Sequence, residues 1–228
     1  MIESASTRGV SRDAARLPGR TLSRVRPEGR ALASTRVPLV ALAAAALALA
    51  LELVGGTGAA LELRRDSVLS EPWRLVTGHL VHFGFQHFAL DVLAFFVLTA
   101  LCERSGRGAT LRVLALSAVS VSAAVLLFCP ELTHYRGLSG IDSALFAYLA
   151  RALWRRPTPG PLILVAQRLP LLLFAGKLSI EALAGTTLFV SPTEDFSPVP
   201  IAHIAGGLTG WALARRGSPG RAEAGAGH

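Results

Sequence analysis

The 228 residues are too apolar for an ordinary soluble domain. Hydrophobic residues make up 51% of the chain and charged residues only 17%, whereas a soluble domain carries roughly 25% charged residues. The net charge is +8, but the arginines cluster at segment ends without interleaved aromatic residues, a pattern that argues against nucleic acid as a partner. We therefore expect an all-α membrane protein that is surrounded by the lipid bilayer.

The first 36 residues are basic and poor in apolar side chains. Arginines are scattered there among serine, glycine and proline, at Arg8, Arg12, Arg16, Arg20, Arg24, Arg26, Arg30 and Arg36. Such a composition buries too little apolar surface to offset the entropy cost of ordering. We predict a disordered basic arm over residues 1–36, a membrane domain over residues 37–214 and a short basic tail over residues 215–228.

Apolar segments separated by glycine, proline and charged residues follow the basic arm. A helix of about 20 mostly apolar residues can cross the roughly 30 Å of hydrocarbon in a bilayer. We predict a bundle of six transmembrane helices, at approximately Val37–Val54, Leu75–Leu101, Leu111–Cys129, Leu138–Leu153, Leu169–Val190 and Ile201–Leu213.

The charges between these segments predict their orientation. Arg104, Arg151 and Arg215 each begin a cluster of arginines after the second, fourth and sixth segments, and cytoplasmic loops are the ones that carry excess basic residues. The opposite loops carry acidic residues such as Glu62 and Asp195. We expect both the N-terminal arm and the C-terminal tail in the cytoplasm.

Polar side chains enter several apolar segments from the predicted outer side. His87, Ser139 and His203 all lie at this level, and because polar residues are costly inside a membrane they usually mark function. Gly206 and Gly210 lie on the same helix face as His203, where another backbone can approach closely. We expect Ser139 Oγ to come within hydrogen-bond reach of His203, the geometry in which a base activates a serine.

The fifth segment contains a basic and an acidic residue one helical turn apart. Lys177 and Glu181 have the i,i+4 spacing at which each charge can neutralise the other. We therefore predict an ion pair between these two side chains, which is a sufficient structural reason for both to lie in an apolar segment.

Several short motifs occur in a fixed order along the chain. They are Trp73-Arg74, then His82, His87 and Asp91 at spacings of five and four, then Gly137-Leu138-Ser139-Gly140, then Ala202-His203 with Gly206 and Gly210. From Glu71 to Trp211 the sequence resembles the rhomboid family of intramembrane serine proteases. Ile141 excludes the Gly-x-Ser-x-Gly elbow of soluble hydrolases.

The resemblance implies a six-helix rhomboid-like bundle and a role for each motif residue. Ser139 would attack a peptide carbonyl and His203 would take its proton, with no metal or other cofactor. His87 matches the position that donates a hydrogen bond to the oxyanion together with the Ser139 N–H, and Gly137 and His82 would support this site.

Asp91 departs from the family pattern, because most rhomboids carry asparagine at this position. An ionised carboxylate there would repel the developing oxyanion. Two accounts remain open: a protonated Asp91 donates a hydrogen bond, or Asp91 orients His87, which lies one turn earlier.

Two further segments are most similar to the rhombosortase subfamily. They are Tyr135-Arg136-Gly-Leu-Ser-Gly, and Lys177 to Glu181 followed by Gly185. This similarity implies a peptidase of the bacterial inner membrane with its active site toward the periplasm. Its substrates would be membrane-anchored exported proteins with a C-terminal tail of a Gly-Gly motif, a transmembrane helix and a basic cluster.

Two other functions remain open. Asp91 in place of asparagine is compatible with a catalytically inactive rhomboid-like protein that binds the transmembrane segments of clients. His79, His82, His87 and Asp91 could in principle ligate a cation in a transporter or metal site, although no inverted repeats are evident.

Overall fold

A computed structural model describes residues 37–157, 160–184 and 199–214. The predicted arm at 1–36, the predicted tail at 215–228 and the end of the fifth apolar segment lie outside the described residues. The helices are α1 (Leu39–Val54), α2 (Gly58–Leu61), α3 (Arg74–Thr77), α4 (Phe85–Glu103), α5 (Arg107–Phe128), α6 (Ser139–Trp154), α7 (Pro161–Ala184) and α8 (Pro200–Leu213). A single 3₁₀ turn, Gly78–Leu80, follows α3, and two short strands are β1 (Leu63–Arg64) and β2 (His134–Tyr135).

Three helices in the described residues are long and apolar enough to cross a membrane, namely α4, α5 and the Pro161–Glu181 part of α7. The first helix, α1, is apolar but shorter, at 16 residues. Large apolar side chains such as Leu93, Leu127 and Leu173 are exposed on these helices, which is the arrangement expected when lipid is the solvent. The protein is therefore a helical membrane protein.

The second apolar segment does not form one continuous helix from Leu75. Its first residues fold as α3 and the 3₁₀ turn, and the long helix α4 begins only at Phe85. The guanidinium of buried Arg74 donates hydrogen bonds to the carbonyl oxygens of Ala59 and Glu62, and Thr77 Oγ1 donates to Leu61 O. These bonds hold α3 against the preceding loop, so the predicted start at Leu75 was wrong.

The fifth helix begins earlier than the sequence suggested. It starts at Pro161 instead of Leu169 and continues through Pro170. Proline suits the first helical position because its fixed φ is already helical and its missing N–H has no helical partner there. The guanidinium of Arg168 stacks over the ring of Trp154 at 3.3 Å from its centroid, which provides a partner for the charge in this added part of α7.

Helix α6 is the centre of the bundle and packs against α4, α5, α7 and α8. Its buried residues Ile141, Ala144 and Leu145 join Phe95 of α4 and Val113 of α5 in one apolar core. Burial of this core fixes the position of α6, and with it the position of Ser139 at the first turn of that helix.

The strands β1 and β2 pair antiparallel, with Leu63 opposite Tyr135 and Arg64 opposite His134. Two residues per strand are too few for the alternating pattern by which a strand is predicted from sequence. The pair ties the loop after α1 to the segment that leads into α6. It therefore holds the residues just before Ser139 in place.

Candidate active site

Ser139 lies at the start of α6, immediately after a glycine turn. Gly137 has a φ of +121°, a backbone conformation that favours glycine. A Cβ at this position would also lie 3.0 Å from the His87 ring and 3.2 Å from Asp91 Oδ2. Glycine is therefore required at residue 137 both by the backbone conformation and by the side chains packed against it.

His203 enters the site from the first turn of α8, which crosses α6 at very short range. A Cβ on Gly206 would overlap the carbonyl oxygen of Gly140, and a Cβ on Gly210 would overlap that of Ala144. Only glycine lets the two backbones touch in this way. The crossing fixes the distance between the first turns of the two helices.

This crossing brings Ser139 and His203 together. His203 Nε2 lies 3.0 Å from Ser139 Oγ, within hydrogen-bond distance. His203 as a whole residue is 9% exposed. The pair faces a cavity of about 460 Å³ whose lining also includes Leu90, Phe146 and Phe174. A hydroxyl and an imidazole in this geometry can exchange a proton beside a space that is large enough for a peptide segment.

Asp91 is a residue of α4, and its side chain contacts the N-terminus of α6. Its Oδ2 accepts hydrogen bonds from the backbone N–H groups of Leu138, at 3.0 Å, and Ser139, at 3.2 Å. The same oxygen lies 3.1 Å from His87 Nε2 and 3.5 Å from His82 Nε2. A carboxylate is favoured at this point because the first N–H groups of a helix lack partners within the helix.

The structure thus brings together all of the predicted site residues, Ser139, His203, His87, Asp91, Gly137 and His82, but it shows a contact that was not predicted. The N–H of Ser139, which the resemblance assigns to the oxyanion, is bonded to Asp91. From the sequence we expected the Asp91 carboxylate to repel the oxyanion. The sequence did not indicate that this carboxylate would accept a hydrogen bond from the backbone N–H of Ser139.

His79 and Tyr135 form a buried layer behind Ser139. His79 lies with Nδ1 3.2 Å from Gly137 O and Nε2 3.0 Å from Ala118 O, and burial lowers the pKa of this imidazole. Burial also raises the pKa of the Tyr135 phenol, whose hydroxyl donates to Gly137 O at 3.4 Å. Both side chains support the glycine turn from behind.

The predicted ion pair on α7 forms, and it lies in the same cavity. Lys177 Nζ is 2.6 Å from Glu181 Oε2, which confirms the pairing. The same Oε2 also lies 3.5 Å from His203 Nδ1, a contact that sequence reasoning missed. The only signal for it was an acidic residue inside an apolar segment, a feature that usually marks function.

The cation-site alternative finds no preformed ligand set in the described residues. Within residues 37–157, 160–184 and 199–214, no group of three or more histidine, cysteine, aspartate or glutamate side chains is arranged to hold a metal ion. His79 hydrogen-bonds backbone and serine oxygens in place of forming a cluster with His82 and His87.

Comparison with known proteins agrees with the motif order. The sequence model of the Rhomboid domain matches residues 69–219, well over half of the chain. No curated protein gives a significant match. The matched region includes the glycine turn, the α6–α8 crossing and every polar side chain that lines the cavity. The chain therefore belongs to the rhomboid family, whose members are generally intramembrane serine proteases that act on membrane protein substrates within the bilayer.

Proposed function

We propose that this rhomboid is an active intramembrane serine endopeptidase in which Ser139 is the nucleophile and His203 the general base. The observation that carries the proposal is the 3.0 Å separation of His203 Nε2 and Ser139 Oγ at the edge of a cavity of about 460 Å³. Because α6 and α8 touch through glycine, this separation is held by the backbone as well as by side-chain packing.

In the proposed reaction, Ser139 Oγ attacks the carbonyl carbon of a peptide bond while His203 Nε2 takes the hydroxyl proton. The tetrahedral intermediate collapses, the C–N bond breaks, and His203 returns the proton to the leaving amine. A water molecule, deprotonated by the same imidazole, then hydrolyses the acyl-enzyme and regenerates the serine. His87 and the Ser139 N–H are the donors nearest to the developing oxyanion, and one such donor contributes about 2.7 to 4 kcal/mol.

Asp91 limits this oxyanion site. Its Oδ2 accepts from the Ser139 N–H and lies 3.1 Å from His87 Nε2, so it occupies the position between the two donors that an oxyanion would take. Turnover then requires that the oxyanion replace the carboxylate oxygen at the Ser139 N–H. In this proposal Asp91 lowers the reaction rate, because its hydrogen bond to the Ser139 N–H must break first.

We propose a rhombosortase-like substrate, an exported protein with a C-terminal Gly-Gly motif, a transmembrane helix and a basic cluster. A Gly-Gly site suits the cavity because a chain without side chains can approach Ser139 closely. In this proposal α1 and α4 to α8 are six spans in a bacterial inner membrane. The clustered arginines support an orientation with both termini in the cytoplasm and Ser139 on the periplasmic side.

Purified protein in detergent or liposomes tests the activity. We expect a fluorophosphonate probe to label Ser139, and we expect cleavage of a Gly-Gly-tailed membrane substrate but not of the same substrate with the glycines replaced by leucine. Ser139→Ala removes both signals, and Ser179→Ala, at an exposed serine on α7, serves as the serine control. Cleavage that survives in Ser139→Ala contradicts the proposed nucleophile.

A second candidate function is a catalytically inactive protein that binds client transmembrane segments. The bond between Asp91 and the Ser139 N–H favours it, because an ionised carboxylate opposes oxyanion formation. This candidate predicts no probe labelling and unchanged client binding in Ser139→Ala. Labelling of the wild-type protein at Ser139 excludes it.

A further inference from the structure

The imidazole of His203 has a carboxylate on the side that faces away from Ser139. Nε2 lies 3.0 Å from Ser139 Oγ, and Nδ1 lies 3.5 Å from Glu181 Oε2. Within the described residues Nδ1 is buried and has no hydrogen-bond partner. A neutral imidazole that accepts at Nε2 carries its hydrogen on Nδ1. In the reactive tautomer, that hydrogen is therefore on the nitrogen beside Glu181.

Glu181 is held as a buried negative charge. The residue is only 2% exposed, and Lys177 Nζ contacts the same Oε2 at 2.6 Å. Burying a carboxylate is costly unless a positive partner is present, so the lysine favours the ionised form. One carboxylate oxygen thus faces both the Lys177 ammonium and the Nδ1 of His203.

The charge balance changes when Ser139 is deprotonated. The serine proton moves to Nε2, and the imidazole becomes a cation while its first hydrogen stays on Nδ1. A negative charge 3.5 Å away stabilises this cation strongly in a medium of low dielectric constant. Glu181 keeps its negative charge throughout and takes no proton. The acidic residue of a serine protease triad likewise stays ionised.

We infer that Glu181 is a positioning residue that completes a Ser139–His203–Glu181 triad, and this inference depends on the proposed protease function. Its carboxylate selects the tautomer with hydrogen on Nδ1, orients the ring toward Ser139 and stabilises the imidazolium. At 3.5 Å the contact is longer than a typical hydrogen bond, so in this proposal the carboxylate moves toward Nδ1 when the imidazolium forms. Lys177, which pairs with the same carboxylate oxygen, acts on His203 through Glu181.

A competing explanation is that Glu181 merely neutralises Lys177 inside an apolar helix. The two explanations differ in a double variant. Glu181→Gln leaves a lysine without its carboxylate, whereas Lys177→Gln with Glu181→Gln removes both charges. If neutralisation is the only role, the double variant recovers the wild-type rate. If Glu181 positions His203, the double variant remains as slow as Glu181→Gln.

The experiment measures the rate at which a fluorophosphonate probe labels Ser139 in the purified full-length protein. Glu181→Gln is expected to lower that rate by up to about 10⁴-fold, the loss found when a triad carboxylate is replaced by an amide. The double variant is expected to be equally slow. Ser179→Ala, an exposed position on the same helix, is the control and should label at the wild-type rate. Melting temperatures establish that each variant is folded.

The pH dependence of Ser139 labelling provides a second measurement, because a purely structural role of Glu181 would leave it unchanged. Without the carboxylate the imidazolium loses its partner, so the acid limb of the labelling profile should shift to lower pH. The other titratable groups that line this cavity are His87 and Asp91 on α4, Asp142 on α6 and Lys177 on α7. Because none of these is changed in Glu181→Gln, the shift reports the removed carboxylate.

Three outcomes separate the claims. A wild-type protein that is never labelled overturns both the protease function and the triad. A wild type that is labelled, with Glu181→Gln within threefold of it at every pH, overturns the triad alone. Recovery of the wild-type rate in the double variant also overturns the triad, because neutralisation of Lys177 then fully explains the presence of Glu181 in this helix.

Discussion

The two sides of α6 differ in how closely they are packed. Toward α8, backbone meets backbone, because Gly206 and Gly210 leave no room for a Cβ. Toward α7, the same helix faces the cavity of about 460 Å³, where Phe146 and Phe174 contact each other with ring centroids 4.9 Å apart. The tightly packed side determines the relative positions of reacting groups, and the open side provides space for a substrate.

This difference follows from the residue types on each side. A glycine contact has no rotatable side chain, so the distance between the backbones that carry Ser139 and His203 is fixed directly by the helix crossing. Helix α7 instead presents long side chains to the cavity and exposes Leu162 and Leu173 on its outer face. Long side chains can change rotamer at low cost, so a substrate segment can be accommodated on that side.

Among changes to the packing of the bundle, the largest effect should come from adding a methyl group on the α8 side of α6. Gly206→Ala overlaps Gly140 O, so the helices must separate, at a cost of about 1 to 3 kcal/mol. We expect a lower melting temperature and at least tenfold slower probe labelling of Ser139.

The neighbouring glycine provides a matched control for this change. A Cβ on Gly207 would meet the Phe174 ring at 3.5 Å, an ordinary contact, so Gly207→Ala should melt at or above the wild-type temperature, because alanine is the better helix former. Equal melting and labelling of the two variants would show that the close crossing is not needed.

A substitution of Asp91 tests how the contacts at the start of α6 affect the reaction of Ser139. Asp91→Asn keeps an oxygen that can accept from the Leu138 and Ser139 N–H groups and removes the charge that opposes an oxyanion. We expect several-fold faster labelling and a stability loss of about 0.5 to 1.5 kcal/mol, since a charge-assisted bond becomes a neutral one. A slower rate in Asp91→Asn would instead assign the carboxylate to the orientation of His87.

The buried imidazole of His79 should make the stability of the protein depend on pH. Burial lowers the pKa of this imidazole below its ordinary value of 6.5, so the unfolded chain binds a proton more readily than the folded one. Its contribution to stability is complete above pH 6.5 and is lost as the pH falls toward the lowered value.

Thermal melting at a series of pH values from roughly 8 to 5 measures this effect, because histidine ordinarily titrates within this range. His79→Gln should be less stable at neutral pH, but its melting temperature should fall less on acidification than that of the wild type. Parallel curves for the two proteins would mean that another group determines the acid sensitivity.

The smallest effect is expected at the far end of α6. Trp154 lies 15 residues after Ser139, or roughly 22 Å along the helix, where Arg168 of α7 stacks on its ring. Trp154→Leu should reduce the free energy of unfolding by about 0.5 to 1 kcal/mol and leave the labelling rate of Ser139 unchanged. A slower rate would show that the position of α7 at this end controls the site.

Sequence reasoning predicted the helices with few breaks and missed structure where the chain turns. Predicted and observed helices agree within a few residues for α1, α5, α6 and α8, because each is a simple apolar run. The starts of α4 and α7 were wrong, because bonds to Arg74 and the stacking of Arg168 on Trp154 come from distant parts of the chain. The β1–β2 pair is too short to leave a pattern.

The candidate site divides in the same way. The sequence pointed to Ser139, His203 and the glycine face of α8, since spacing along one helix fixes which residues share a face. It did not reveal that Asp91 accepts from the Ser139 N–H or that Glu181 lies beside His203. Both contacts join different helices, and the rotation of one helix against another is not encoded in the spacing of either.

By itself, therefore, the sequence determined a helical membrane protein with a serine and a histidine at corresponding helix ends. Only the tertiary structure decided how far apart those groups lie and which carboxylate faces each of them. The physical reason is that distances between helices depend on the summed packing of all their contacting residues, above all on the glycine backbones of α6 and α8.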